Sequence, residues 1–135
     1  MGIGFQIAQK MISAAVAIAE VEFKRPICVT VCDECGFLLA FARMDGAPLR
    51  TIEISQGKAY SATRMGSNTD AFQERLRREE VPASYFCDPK LTALAGGSVI
   101  KDSTGKIVGG IGISGLAPHE DQALANRVIN GAEKL

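Results

Sequence analysis

Tryptophan is absent, histidine occurs once and tyrosine twice in 135 residues. A single imidazole excludes a site built on clustered histidines and leaves His119 as the sole candidate for a Ser-His-Asp arrangement. Its position at a helix start reads as surface. Charge of one sign is also lacking: fifteen Lys and Arg balance fifteen Asp and Glu, so no basic excess supports a nucleic-acid surface. The densest basic run, Arg75, Arg77 and Arg78, is offset locally by Glu74, Glu79 and Glu80 and reads as a solvated helix face. No apolar run approaches the ~18 residues of a membrane span. The small, apolar stretch Ile12 to Ala19 has no basic segment before it, so it is not a secretion leader, and cytoplasmic residence is the expectation. Nucleophile elbow, phosphate loop and HExxH are all missing. So are repeats, low-complexity tracts and linkers, which leaves one domain over residues 1–135.

What is present is a chain 47% apolar and 22% charged, enough for one real core. Ala8, Met11, Ile12, Ala15, Ile18 and Ala19 recur at helical spacing, predicting a helix from Gly4 to Phe23 that ends before Pro26. Ile27 to Cys32 alternates as a strand. Asp33-Glu34-Cys35-Gly36 is a turn, and Phe37 to Met44 returns as the second strand of a hairpin. After Asp45-Gly46-Ala47-Pro48 a helix runs to Met65, with Ile52, Ser55, Ala59 and Ala62 as a buried stripe of mostly small residues. Asn68 or Thr69 caps another helix through Arg78. Val81 to Ala95, with Pro82 and Pro89, reads as irregular or short helical structure. Ser98–Lys101 and Ile107–Ser114 flank Asp102-Ser103-Thr104-Gly105 as a second hairpin. A last helix begins near Pro118 with Glu120 and Asp121 in its first turn and Leu124, Ala125, Val128 and Ala132 on its core face. The order α-ββ-αα-ββ-α indicates an α+β fold with an antiparallel sheet flanked by helices.

Four cysteines occur, at positions 28, 32, 35 and 87. Cys32 and Cys35 form a CxxC across the hairpin turn. A redox CxxC opens a helix, which lowers its thiol pKa, and a zinc site needs two further ligands at suitable spacing. The pattern therefore reads as structural thiols, with metal or redox use as the alternative, and no metal site is assigned.

Seven of the fourteen glycines lie between Gly96 and Gly115. Gly110-Ile111-Gly112-Ile113-Ser114-Gly115 matches GxGxxG between a strand and a helix, the local setting of a dinucleotide fingerprint. That fingerprint also needs a second parallel strand ending in an acidic residue, and none follows. Alternation leaves Val108, Gly110, Gly112 and Ser114 on one nearly bare face, so either a packed helix or a ligand approaches the backbone there. Ser114, Gly115 and the last helix's N-terminus offer amides for a small anion.

Arg43, Asp45, Lys58 and Asp121 are the polar residues that could do chemistry. Arg43 alternates with Phe37, Leu39 and Phe41 on a largely apolar strand face, so its charge needs a partner or a ligand. Asp45 either pairs with it or joins a site. Lys58, at the border of the small stripe, either snorkels to solvent or reaches into a cleft beside Arg43. Two cations and helix amides would suit a carboxylate.

These segments resemble a known family. Val31 to Ala47 is similar to its V-x-D-x-x-G-x-L-x-A-x-x-R-M-D-G-A hairpin signature. Lys58-Ala59-Tyr60-Ser61-Ala62 resembles its K-A-[YF]-[ST]-A helix, Leu94 to Ile100 its L-x-G-G-x-P-I, and Val108 to Gly115 its V-G-A-I-G-V-S-G. Asp121 falls on its acidic position in the last helix. This is the GlcG/HbpS-like family, which includes the C-terminal domain of PduO-type cobalamin adenosyltransferases. The resemblance implies a profilin-like fold with about five antiparallel strands, and homo-oligomeric assembly. It also implies a small-molecule ligand, haem or a corrinoid, and a role as a binding or accessory protein linked to haem, glycolate or cobalamin-dependent diol or glycerol metabolism, with a cobalamin-linked enzyme as a partner. Alternatives are an enzyme degrading haem or acting on a small hydroxy acid or aldehyde, with Lys58 as its acid/base residue, and a structural assembly partner. Arg43, Asp45, Lys58, Asp121 and the backbones of Gly96, Gly97, Ser114 and Gly115 are the expected ligand contacts. Ser98-Val99 departs from the family's residue-proline step, and the adenosyltransferase domain is absent.

Overall fold

The structure is a computed structural model, which describes residues 2–132; the side chain of Ala132, expected on a core face, lies outside the described residues. Helix α1 (Phe5–Ile18) continues through a wider turn (Ala19–Phe23) closed by the Lys24 amide on the Ala19 carbonyl. Lys24 then takes a left-handed conformation, which ends the helix just before Pro26. Ala8, Met11, Ile12, Ala15 and Ala19 are buried, the stripe that the spacing predicts.

Strands β1 (Cys28–Asp33) and β2 (Leu38–Arg43) form the first hairpin, β3 (Gly97–Lys101) and β4 (Ile107–Ser114) the second. Asp33 closes the first turn by accepting the Cys35 and Phe37 amides at 2.9 Å, and Asp102 closes the second in the same way through Thr104 and Lys106. The hairpins join antiparallel through β1 and β4, giving the order β2-β1-β4-β3. The α+β architecture and element order are as the sequence indicates. The strands among the described residues number four, as in the element order read from the sequence, rather than the about five that the resemblance implies, and the segment between α3 (Thr69–Glu79) and β3 holds the expected short helical turn at Ala83–Phe86.

Helix α2 (Arg50–Met65) packs on one face of the sheet, over β1, β4 and β3; α1 and α4 (Pro118–Ala132) cover the other. The main core lies on the second face, where Val29, Val31, Ile111 and Ile113 meet Met11, Ile12, Leu124 and Val128. On the first face the helix sits nearly on the strand backbones. A Cβ at Gly112 would lie 2.1 Å from the Ser55 carbonyl oxygen, one at Gly97 2.3 Å from that of Lys58, and one at Gly110 2.7 Å from that of Ala59. The bare glycine face therefore receives a packed helix, the first of the two readings. Thr51, Ser55, Lys58, Ala59 and Ala62 form the buried stripe of α2. Ile52 is only half-buried and sits beside that stripe.

Two local details differ from simple alternation. A bulge at Val31/Cys32 sets Leu38, not Leu39, opposite Cys32, while Phe41 and Arg43 face Thr30 and Cys28. Opposed residues of an antiparallel pair share a face, and an extra residue switches it. Leu38, Phe41 and Arg43 thus lie on the α2 side, and Leu39 packs against the main core. Edge strand β2 lies beyond the part of the sheet that α2 covers, so its apolar residues on that side stay accessible.

Candidate functional site

Two places gather polar groups: an enclosed one at the β3–β4 end of the sheet, and an open cleft beside β2.

At the enclosed place, Lys58 is 2% exposed and Asp121 1%. Lys58 Nζ donates to the Ile113 carbonyl at 2.8 Å and to Asp121 Oδ2 at 3.1 Å. Asp121 Oδ1 accepts the Leu116 amide at 3.1 Å, and Glu120 accepts the Ala117 amide at 3.1 Å. Burial lowers the Lys58 pKa, opposed by the Asp121 charge, and pushes the Asp121 carboxyl up to about 6, opposed by Lys58. Each ion loses its hydration shell here and has mainly the other as compensation. Gly96, with φ +130°, lies against both: a Cβ there would fall 2.7 Å from Lys58 Nζ and 2.9 Å from Asp121 Cβ.

Beside this pair runs a buried amide network that composition does not reveal. The Gln122 side-chain carbonyl accepts the Gly96 amide at 2.8 Å, while its NH₂ donates to the Gly97 carbonyl and to Ser98 Oγ. Thr69 accepts the Gly97 amide at 2.9 Å and Asn68 the Val99 amide at 2.9 Å. Together they tie the starts of α3 and β3 to α4. No buried side-chain nitrogen or oxygen among the described residues is left without a partner.

Lys58, Gly96, Gly97, Ser114, Gly115 and Asp121 are thus brought to one end of the sheet. Ser114 pairs with Cys28 in the ladder, and Gly115, at φ +131°, packs against Pro26 and Ile27. At the start of the last helix, where amides for a small anion were expected, the Leu116 and Ala117 amides are already bonded to the chain's own carboxylates. Arg43 and Asp45 are elsewhere. Both are exposed near the end of edge strand β2, and neither has an ion pair among the described residues. The convergence of Arg43 with Lys58 does not occur, because the Lys58 ammonium is enclosed two strands away. His119 is exposed at the start of α4, as its position predicts.

The open place is a cleft of about 620 Å³ between the first hairpin, α2 and residues 89–92. That volume lies within the usual range of small-molecule sites. Phe37, Leu38, Ile54 and Leu91 give it apolar walls, Thr30 and Cys32 form part of its lining from β1, and Glu53, Tyr60 and Lys90 bring polar groups. Phe37 and Leu38 are 62% and 57% exposed. Tyr60 donates to Asp88 Oδ2 at 2.5 Å, which raises the phenol pKa and lowers that of Asp88. The Arg64 guanidinium and the Lys90 ammonium lie 4.9 Å and 5.7 Å from the Tyr60 ring centre. Cys32 is buried in the floor, bonded to Thr63 and the Ala59 carbonyl, and burial pushes its thiol up to about 11. Cys35 is exposed on the turn, so the CxxC holds its two thiols in different surroundings. No three metal-ligating side chains cluster among the described residues. This cleft was not legible in the sequence, although Tyr60 belongs to the Lys58–Ala62 segment; two large apolar residues, Phe37 and Leu38, directly after a turn were its available signal.

A helix-sandwiched antiparallel sheet with an open cleft beside its edge strand defines a small α+β domain class. The chain matches the family model described as haem degrading protein HbpS-like over residues 3–130 and belongs to that family. It is 32% identical to protein GlcG of Escherichia coli strain K12 over 112 residues, 80% of this chain and 81% of that protein. A double mutant of HbpS from Streptomyces reticuli superposes with a TM-score of 0.86 at 27% identity, covering 96% of this chain and 86% of that one. The solved PduOC:heme complex has the same fold, with a TM-score of 0.85 at 24% identity over 96% of this chain and 94% of that one.

Proposed function

We propose that this protein is a haem-related accessory protein that binds a flat, amphipathic ligand of the tetrapyrrole class in the cleft beside β2. The observation that carries this reading is the cleft itself. It has apolar walls on two sides, two exposed apolar residues at its lip and cations at one end, whereas the other polar cluster is enclosed. The family's description and the haem-bound PduOC of the same fold support the ligand class.

The residues present fit the tetrapyrrole ring better than its iron. Phe37, Leu38, Ile54 and Leu91 match an apolar macrocycle. No free imidazole, thiolate or phenolate is among the cleft residues. His119 starts α4, on the face of the sheet opposite α2; the Cys32 thiol is held protonated; and the Tyr60 hydroxyl is committed to Asp88. The ring's periphery is thus the part that the protein grips. Lys58 and Asp121, with Gly96, Gly97, Ser114 and Gly115, serve in this reading as the lock that fixes the sheet end. Arg43 and Asp45 are accessible on β2 and remain available to a ligand or a second subunit. Cytoplasmic residence, homo-oligomeric assembly and service to glycolate or cobalamin-dependent metabolism, with a corrinoid as the other tetrapyrrole, complete the proposal.

The test is a spectrophotometric titration with hemin and, separately, with iron-free protoporphyrin IX. Saturable binding of both, with affinities within about tenfold of one another, is expected when the ring edge supplies the binding energy. Absence of saturation with either ligand overturns the reading. Native mass spectrometry of the freshly purified protein reports the subunit number.

A further inference from the structure

The cleft is polarised along its length. Glu53 and Tyr60 both line it and stand seven positions apart on α2, which the helical rise converts to about 10 Å. At the Tyr60 end stand Lys90 and Arg64, with Asp88 as the neighbouring carboxylate. Asp88 is engaged by the Tyr60 hydroxyl and the Lys90 amide, and Arg64 Nε by the Cys35 carbonyl. Neither Arg64 nor Lys90 has an ion-pair partner within 4.0 Å among the described residues. At the other end Glu53 is exposed and equally without an ion pair. Between the ends α2 carries Gly57, where residues 90 and 92 come close: a Cβ there would lie 3.5 Å from Thr92 Cγ2 and 3.6 Å from the Lys90 carbonyl oxygen.

We propose that the cleft selects ligands bearing acid groups at one end of an apolar body, the acid lodging against Lys90 beside Tyr60, with Arg64 adding positive charge from outside the lining, and Glu53 repelling a second acid at the far end. This rests on the cleft being the binding site, as above, but not on the ligand being a tetrapyrrole. It assigns an orientation: the acidic edge faces residues 88–90, and the apolar body lies along Phe37, Leu38 and Ile54. Two exposed cations outweigh the one Asp88 carboxylate beside them and attract an anion in a screened setting, while a lone carboxylate at the opposite end disfavours the reversed pose.

Two dyes with the same ring system separate charge from apolar contact: anionic 1-anilinonaphthalene-8-sulfonate and neutral N-phenyl-1-naphthylamine, each titrated by fluorescence against the full chain. Lys90→Gln is expected to weaken the anionic dye about 3- to 10-fold and to change the neutral dye less than about twofold. Glu53→Gln strengthens the anionic dye and leaves the neutral one unchanged. Both positions are exposed, and unchanged melting temperatures verify the fold. The proposal is overturned if the wild-type chain does not bind the anionic dye, or if Lys90→Gln affects both dyes alike or neither. Dye discrimination without hemin binding keeps this inference and removes the tetrapyrrole reading. Hemin binding without dye discrimination does the reverse.

Discussion

Lys58 and Asp121 lie 63 residues apart in sequence and meet at 3.1 Å, Nζ to Oδ2, in a place that excludes solvent. This contact joins the helix on one face of the sheet to the first turn of a helix on the other. Removing one partner leaves the second charge buried and uncompensated, a cost of about 3 to 5 kcal/mol. Lys58→Met is therefore expected to lower the melting temperature strongly. Adding Asp121→Asn should recover much of that loss, because the new side chain carries no charge to leave buried and still accepts the Leu116 amide. A thermodynamic cycle on the two single variants and the double variant checks it; additive losses contradict the pairing.

The same carboxylate makes a pH prediction. The Asp121 pKa is raised from 3.8 to about 6, so the folded chain holds this proton more tightly than the unfolded chain. Its contribution to stability is complete below the unfolded value and is lost as pH rises through 6. Asp88, Asp102 and Glu120 are shifted down and act with the opposite sign. Subtracting the Asp121→Asn variant from the wild type cancels them. That difference is expected to fall by about 2 kcal/mol between pH 4 and 7, because the carboxyl releases its proton near 6 in the folded chain and near 3.8 in the unfolded one. Urea unfolding across this range measures it, and a flat difference refutes a raised carboxyl.

Close approach of α2 to the sheet sets the cost of adding single methyl groups. Gly112→Ala puts a carbon 2.1 Å from the Ser55 carbonyl oxygen and 2.5 Å from the Ala59 nitrogen, both backbone atoms that cannot step aside. Destabilisation of about 3 kcal/mol is expected, at the upper end of ordinary overpacking. Gly105→Ala meets no atom within 4 Å but sits at φ +87°, where the left-handed backbone alone costs about 1 to 2 kcal/mol. Thermal melts of the two variants should therefore separate clearly, with Gly112→Ala the lower.

Those glycines also show where sequence reading succeeds and stops. The period-two pattern of β4 revealed a bare face, and the small stripe of α2 supplied an occupant, so the helix-sheet contact was legible from both sides. Element order was legible because each turn carries its own chemistry, as Asp33 and Gly36 or Asp102 and Gly105 do. The β2 face was misread because a bulge is one extra residue in the ladder, and no composition marks it: Leu39 went to the core and Leu38 to the cleft. Lys58 could not be placed by periodicity, since its long stem lets the ammonium travel several ångströms from its helix position, here to Asp121 and not toward Arg43. The Gln122 network was invisible for a similar reason. Amide side chains have no spacing rule, and their partners come from three separated segments.

Thiol reactivity tests the floor of the cleft directly. Cys28 and Cys32 are buried, and burial raises both thiol pKa values, that of Cys32 to about 11. A buried, protonated thiol is a poor nucleophile because only the thiolate attacks. Cys35 and Cys87 are exposed. Treatment of the native protein with iodoacetamide at pH 7.5 is therefore expected to add two labels, on Cys35 and Cys87, with the other two cysteines reacting only after denaturation. Peptide mass spectrometry locates the labels. Rapid modification of Cys32 in the native chain would show that the floor opens to solvent through the cleft. A ligand seated on Phe37 and Leu38 should then slow that reaction while leaving Cys87 unchanged.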